Sequence, residues 1–190
     1  MTQIEYFGLE QMLDIIEEPN RTCAYQLLND NMPLFSKARG SSHNHQAWEG
    51  GYLDHITEVM NIAIALYFIL DSRRKLLFSL SDALLVLFLH DLEKPWRYYT
   101  NERGICGISK ELADKEKTAV PFVEQKTRQY NFKLSEEHWN GIKYAEGEKN
   151  DYSPNKRIQT PLAAFVHMCD VWSARGWYDY PLKERDSWKR

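Results

Sequence analysis

Residues 79–96 read SLSDALLVLFLHDLEKPW, and this stretch decides the fold. Ser79 or Ser81 can cap a helix over 81–92, and the block ALLVLFL would leave that helix apolar on nearly every side. A helix of that kind belongs at the centre of a bundle, not on a surface. A buried strand is the alternative for so short an apolar run. The leucine-rich composition and the direct continuation into HDLEK favour helix, with Pro95 ending it.

Working outward, almost every long segment takes the helical period. Upstream, Leu53, Ile56, Val59, Met60, Ala63, Ile64 and Tyr67 share one side of a helix predicted over 52–71. Before it, SKARGSSHNHQAWEGG (36–51) is polar and glycine-rich and reads as a loop. Leu9, Met12, Leu13, Ile15 and Ile16 give a short amphipathic helix. Cys23, Leu27 and Leu28 give a weaker one, with breaks at Pro19-Asn20 and at 30–33. Downstream, 96–107 is a turn-rich aromatic excursion, and a helix over 110–130 is expected to kink or split at Pro121. Ser135 caps a helix to about Ala145, residues 147–155 form a polar connection, and Thr160-Pro161 opens a last helix to about Ala174. The aromatic end, 177–190, reads as a tail laid on the surface. The expectation is one all-α domain over 1–190, a bundle of roughly six or seven helices.

Composition narrows the function classes. The 190 residues carry 24 Lys+Arg against 27 Asp+Glu, a net charge of −3, and 43% are hydrophobic. Disordered and collagenous chains are excluded, and so is a long basic track for polymeric nucleic acid. A chain of this size buries roughly 70% of its unfolded surface and needs no disulfide or structural metal to fold. The odd, scattered Cys23, Cys106 and Cys169 argue against a disulfide framework. The start, MTQIEYFGLEQ, does not read as a signal peptide, and IAIALYFIL (62–70) is shorter than the roughly 20 residues that span a bilayer. A cytoplasmic protein without a membrane partner is expected.

Chemistry concentrates at a few positions. His90 and Asp91 emerge at the end of the most apolar helix, where neither can be buried without a partner. Two further donors stand in other helices: His55 near the start of the 52–71 helix, and Asp170 inside AAFVHMCDVW. Two imidazoles and two carboxylates suit a divalent ion such as Mn²⁺, Fe²⁺, Co²⁺, Ni²⁺ or Mg²⁺ with room for water, and suit a closed structural zinc less well. Such an ion polarises a phosphoryl oxygen and activates water.

These motifs resemble the HD-domain superfamily of metal-dependent phosphohydrolases. GGYLDH is similar to the turn before that family's first metal histidine and places it at His55. HDLEK matches the name-giving doublet at His90 and Asp91, with Lys94 as the trailing lysine, and CDVWSA matches the last aspartate at Asp170. NHQAWEGG looks like the segment that in some members carries a histidine pair; His45 matches the first and Gln46 stands at the second. The resemblance covers about 42–174. Binuclear members carry further histidines where IKYAEGE (142–148) stands here, so the resemblance implies one ion, with Glu146 the candidate ligand should a second bind.

The resemblance thus implies a phosphohydrolase for a small nucleotide, either a nucleoside monophosphate phosphatase or a nucleoside triphosphate hydrolase. Asp91, Lys94 and His45 are the expected catalytic residues, and Lys94, Arg97, His45 and Trp48 the expected substrate contacts. Arg39 is a further cationic candidate. Glu93 either orients water or faces solvent. His167 is expected to support the site or the core, His138 to cap or lie on the surface, and His43 to be solvated. Trp48, Trp96, Tyr98, Tyr99, Trp172 and Trp177 are weighed as a base-stacking wall against ordinary core packing. A phosphodiesterase for cyclic nucleotides or short oligonucleotides, and a catalytically degenerate nucleotide sensor or interaction module, are the alternatives. Self-association is left open.

Overall fold

Helix α4 (Leu80–Leu89) is the axis of the molecule: every residue from Ala83 to Leu89 is buried. The structure is a computed structural model, and it describes residues 5–101 and 105–180. Ser79 caps α4 by accepting the Asp82 N–H at 3.0 Å, while the Asp82 carboxylate accepts the Ser79 N–H at 2.9 Å. Around this axis pack α3 (Gly51–Arg73), α7 (Glu136–Tyr144) and α8 (Pro161–Val171), each in contact with α4. Helices α1 (Leu9–Leu13) and α2 (Asn20–Phe35) close one side, and α6 (Lys115–Gln129) flanks the site end. The result is an all-α bundle, as the periodicity predicts.

Two contacts fix how α7 meets α4. A side chain at Gly141 would bring its Cβ within 2.8 Å of Val86 Cγ1, so the glycine permits the close approach. At the other end, His138 Nε2 donates to Asp82 Oδ1 at 2.9 Å while its Nδ1 accepts the Ser135 N–H at 3.1 Å. The capping expectation for His138 therefore holds, and the residue also ties together the starts of α4 and α7.

Several boundaries differ from those predicted. Helix α2 runs unbroken through 30–33 to Phe35, because burial of Leu27, Leu28 and Phe35 outweighs the turn-forming residues. Helix α4 stops at Leu89 with His90 as its C-cap. Pro95 then falls in the first turn of a short helix α5 (Lys94–Arg97), where its missing N–H is not needed. The aromatic excursion forms a small antiparallel hairpin, β1 (Tyr98–Thr100) with β2 (Cys106–Ile108). The 110–130 segment divides at Asp114, whose side chain caps α6 by accepting the Lys117 N–H; Pro121 lies inside α6. Helix α8 ends at Val171 and continues as a wider turn over Trp172–Gly176. Most of the expected C-terminal tail, 181–190, lies outside the described residues.

Helix α3 is by length and composition long and apolar enough to cross a membrane, and more than half of its most apolar stretch is buried within the bundle. Phe68, Ile69 and Leu77 are exposed around its C-terminal end.

The Asp82 carboxyl is lowered to about 2, first by the His138 hydrogen bond and against the cost of partial burial. Its folded value lies below the ordinary 3.8, so its contribution is fully present above pH 3.8 and is lost as pH falls through about 2. Asp82→Ala is expected to cost about 1 kcal/mol in urea denaturation at neutral pH. The difference from wild type should shrink toward pH 2.

Candidate metal centre

The site begins with a loop pressed against a helix start. A Cβ on Gly51 would lie 1.9 Å from the Gln46 carbonyl oxygen, so only glycine lets the 36–50 loop rest on the first turn of α3. His55 stands one turn further in, fully buried. His90 caps the end of α4, and Asp91 follows in the turn before α5. Asp170 lies near the end of α8. Three helices thus deliver His55, His90, Asp91 and Asp170 to one point, with one ligand atom from each lying within 4.8 Å of all the others.

The distances are consistent with one shared centre. His55 Nε2 lies 3.3 Å from Asp91 Oδ2 and 3.1 Å from Asp170 Oδ1; His90 Nε2 lies 3.2 and 3.5 Å from the same two oxygens. His90 Nδ1 donates to the Leu87 carbonyl at 2.7 Å, which turns Nε2 toward the carboxylates. His55 Nε2 and His90 Nε2 are buried with no hydrogen-bond partner among the described residues. Interior polar atoms are rarely left so. The donor set and its orphaned atoms fit a metal ion, and these four side chains form a group that could hold one.

Charge leads to the same conclusion. Burial opposes ionisation of Asp91 and Asp170, yet their neighbours hold both well below the usual carboxylate range. For Asp91 these are chiefly Lys94 and His90, and for Asp170 the neighbouring imidazoles of His55 and His90. Burial likewise opposes protonation of His90, but Asp91 and Asp170 outweigh it and raise the imidazole to about 10. Two buried carboxylates require compensating positive charge, from a proton on His90 or from a cation.

Behind His55 stands a support that sequence reading did not identify. His55 Nδ1 meets Ser173 Oγ at 3.2 Å, and Ser173 Oγ donates to Glu58 Oε2 at 3.5 Å. The Gln46 amide reaches Glu58 Oε2, Ser173 Oγ and the carbonyls of Trp177 and Tyr180. Such partners orient a ligating imidazole. The available signal was spacing: Glu58 follows His55, and Ser173 follows Asp170, by one helical turn.

The remaining expected residues are distributed unevenly. Lys94 is buried and ion-paired to Asp91 Oδ2. The His45 ring lies 4.8 Å from the His55 ring, with Nδ1 on Gln46 Oε1 at 2.8 Å, and burial followed by the Lys94 charge lowers it to about 4. Arg97 is buried, 3.6 Å from Glu93 Oε1 and reaching Ala113 O and Thr118 Oγ1, where it braces α5 against the start of α6. Trp48 donates its indole N–H to Asp54 at 2.8 Å. Arg39 donates to the Ala47 carbonyl. Glu93 is fully buried, which corrects the solvent-facing alternative: the chain turns inward after α4 instead of continuing as an exposed helix.

Glu146 pairs with Lys115 and Lys149. His167 Nδ1 donates to the Ala145 carbonyl at 2.7 Å, and His43 is exposed beside Ser42. The aromatics do not form one wall. Trp96, Tyr98 and Tyr99 line a groove of about 470 Å³, while Trp172 and Trp177 pack edge to face 5.8 Å apart.

A separate cleft of about 240 Å³ opens on the cluster, with His90 in its lining and Lys115, Lys143, Glu146 and Lys149 around it. The three lysines were not singled out from sequence, because single lysines on helices and loops carry no periodic signal.

An ion must displace the His90 proton, which is held up to about pH 10 in the free protein. Metal affinity is therefore expected to rise with pH, by up to about tenfold per unit below that value, with proton release. Calorimetry in buffers of different ionisation enthalpy measures both; pH-independent affinity would remove His90 from the ligand set.

A scan of protein-family models finds no matching family for this chain. Searches of curated proteins and of solved structures find no match either.

Proposed function

We propose that this chain is a metal-dependent phosphohydrolase acting on a small nucleotide. One observation carries the reading: four buried donors, His55, His90, Asp91 and Asp170, converge on one point, and one of them, His90, lines a cleft edged by lysines. The resemblance of GGYLDH, HDLEK and CDVWSA to the HD-domain motifs supports it, since the side chains these motifs supply are the four that cluster.

A divalent ion bound there supplies Lewis acidity to a phosphoryl oxygen and lowers the pKa of an attacking water. The chain's own residues do the rest. Lys94, buried against Asp91, holds positive charge beside the ligand set. Lys143 and Lys149 stand where an incoming phosphate would meet them, each free to exchange a surface carboxylate partner for it. The His45 Nδ1–H is directed to Gln46 Oε1, which leaves its Nε2 lone pair to accept a proton or orient water beside His55. A cleft of about 240 Å³ in a chain of net charge −3 suits a small phosphate ester better than a polymer, whose binding rests on many cationic contacts.

The test is a release assay for phosphate and nucleoside over nucleoside mono- and triphosphates and cyclic dinucleotides, with Mn²⁺, Co²⁺, Ni²⁺ or Mg²⁺. Turnover of a monomeric nucleotide is expected, and it should vanish with a chelator and in His90→Ala and Asp170→Ala. Ser173→Ala should retain turnover while weakening metal affinity by about ten- to a hundredfold. Activity that survives chelation would sink the reading.

A further inference from the structure

Lys115 is the first residue of α6, a position where the helix dipole disfavours a cation. Its ammonium is nonetheless drawn inward to three carboxylates. Nζ lies 3.9 Å from Asp91 Oδ1 and 3.8 Å from Glu93 Oε1, and it is ion-paired directly to Glu146 Oε1. Asp91 and Glu93 come from the turn after α4, and Glu146 from the segment after α7. Both Glu93 oxygens are buried and have no hydrogen-bond partner among the described residues. Oε1 instead faces the Lys115 ammonium and the Arg97 guanidinium, the latter at 3.6 Å.

Asp91 is the hinge of this arrangement. Its Oδ2 faces the two imidazoles at 3.2–3.3 Å, while its Oδ1 faces Lys115. One carboxylate thus joins two neighbouring positions that both call for positive charge. The first is ringed by His55, His90 and Asp170; the second is ringed by Glu93 and Glu146 and holds an ammonium.

We infer that the Lys115 ammonium fills a latent second divalent-cation position, walled by Asp91, Glu93 and Glu146, and so limits the centre to a single ion. The inference rests on reading the His55, His90, Asp91 and Asp170 cluster as a metal site. Asp91, Glu93 and Glu146 surround this one ammonium with carboxylate oxygens from two separate segments of the chain. A tethered ammonium cannot be diluted or chelated away. It is a compact point charge with three donors, matched here by three carboxylates, and it lacks a second ion's vacant coordination sites. Where two-metal centres grip both attacking and leaving oxygens, this centre would present one ion and one ammonium.

The experiment counts ions. Metal-free protein is loaded with excess Mn²⁺ and desalted, and bound manganese per chain is measured together with its electron paramagnetic resonance. Wild type is expected to hold one Mn²⁺ with an isolated-ion spectrum. Lys115→Ala is expected to hold two, with the spectrum of an exchange-coupled pair, and Lys115→Ala combined with Glu93→Gln should return to one. A Lys115→Ala chain that is folded by circular dichroism and still holds one isolated ion overturns the inference and leaves the metal site standing. Two ions in wild type overturn it whether or not the variant folds. No ion in wild type overturns the metal site itself, and the inference with it.

Discussion

Everything near the functional end of this molecule answers to one electrostatic constraint: Asp91 and Asp170 are carboxylates closed into the interior. Burial alone would neutralise them. They stay ionised because His55, His90 and Lys94 surround them, and Lys115 closes the far side of Asp91. A cation between the imidazoles would satisfy the same demand while freeing His90 of its proton. The neighbouring Glu93 has the opposite balance. Burial first, and then the charge of Asp91, push its carboxyl up, with Lys115 countering.

That concentration of charge is tolerable because of what holds it. Helix α4 is apolar on all sides and contacts α3, α7 and α8, so the end of one helix is fixed relative to the two that carry His55 and Asp170. Gly51 and Gly141 permit the closest approaches, the first of a loop to a helix start and the second of helix to helix. The Ser173–Glu58–Gln46 network then fixes the His55 ring and ties it to the backbone of 177–180. A donor set spread over more than a hundred residues of sequence becomes one site only through this packing.

Much of this was legible before the fold was known. Helical period gave α3, α4, α7 and α8 to within a few residues, and the four donors stood out because an unpaired Asp or His in an apolar run is costly. The misreadings share a cause. Asp30–Pro33 and Pro121 look like breaks locally, yet burial of Phe35 and Val123 carries α2 and α6 through them. Glu93 looks like a solvent-facing helix residue, yet the turn at 90–93 directs it inward; Arg97, expected to contact substrate, is buried against it. Lys115 had no sequence signal, since its role depends on carboxylates 22, 24 and 31 positions away, distances that mean nothing along the chain.

The sequence by itself determined the all-α class, the central helix and the identity of the four donors, because periodicity and the cost of isolated buried charge are local properties. Only the tertiary structure decided that the four meet, that Ser173, Glu58 and Gln46 stand behind His55, and that Glu93 and Arg97 are interior. It also decided that an ammonium from α6 sits on the other face of Asp91. Those facts depend on how helices cross, and crossing is settled by the packing of whole faces rather than by any one segment.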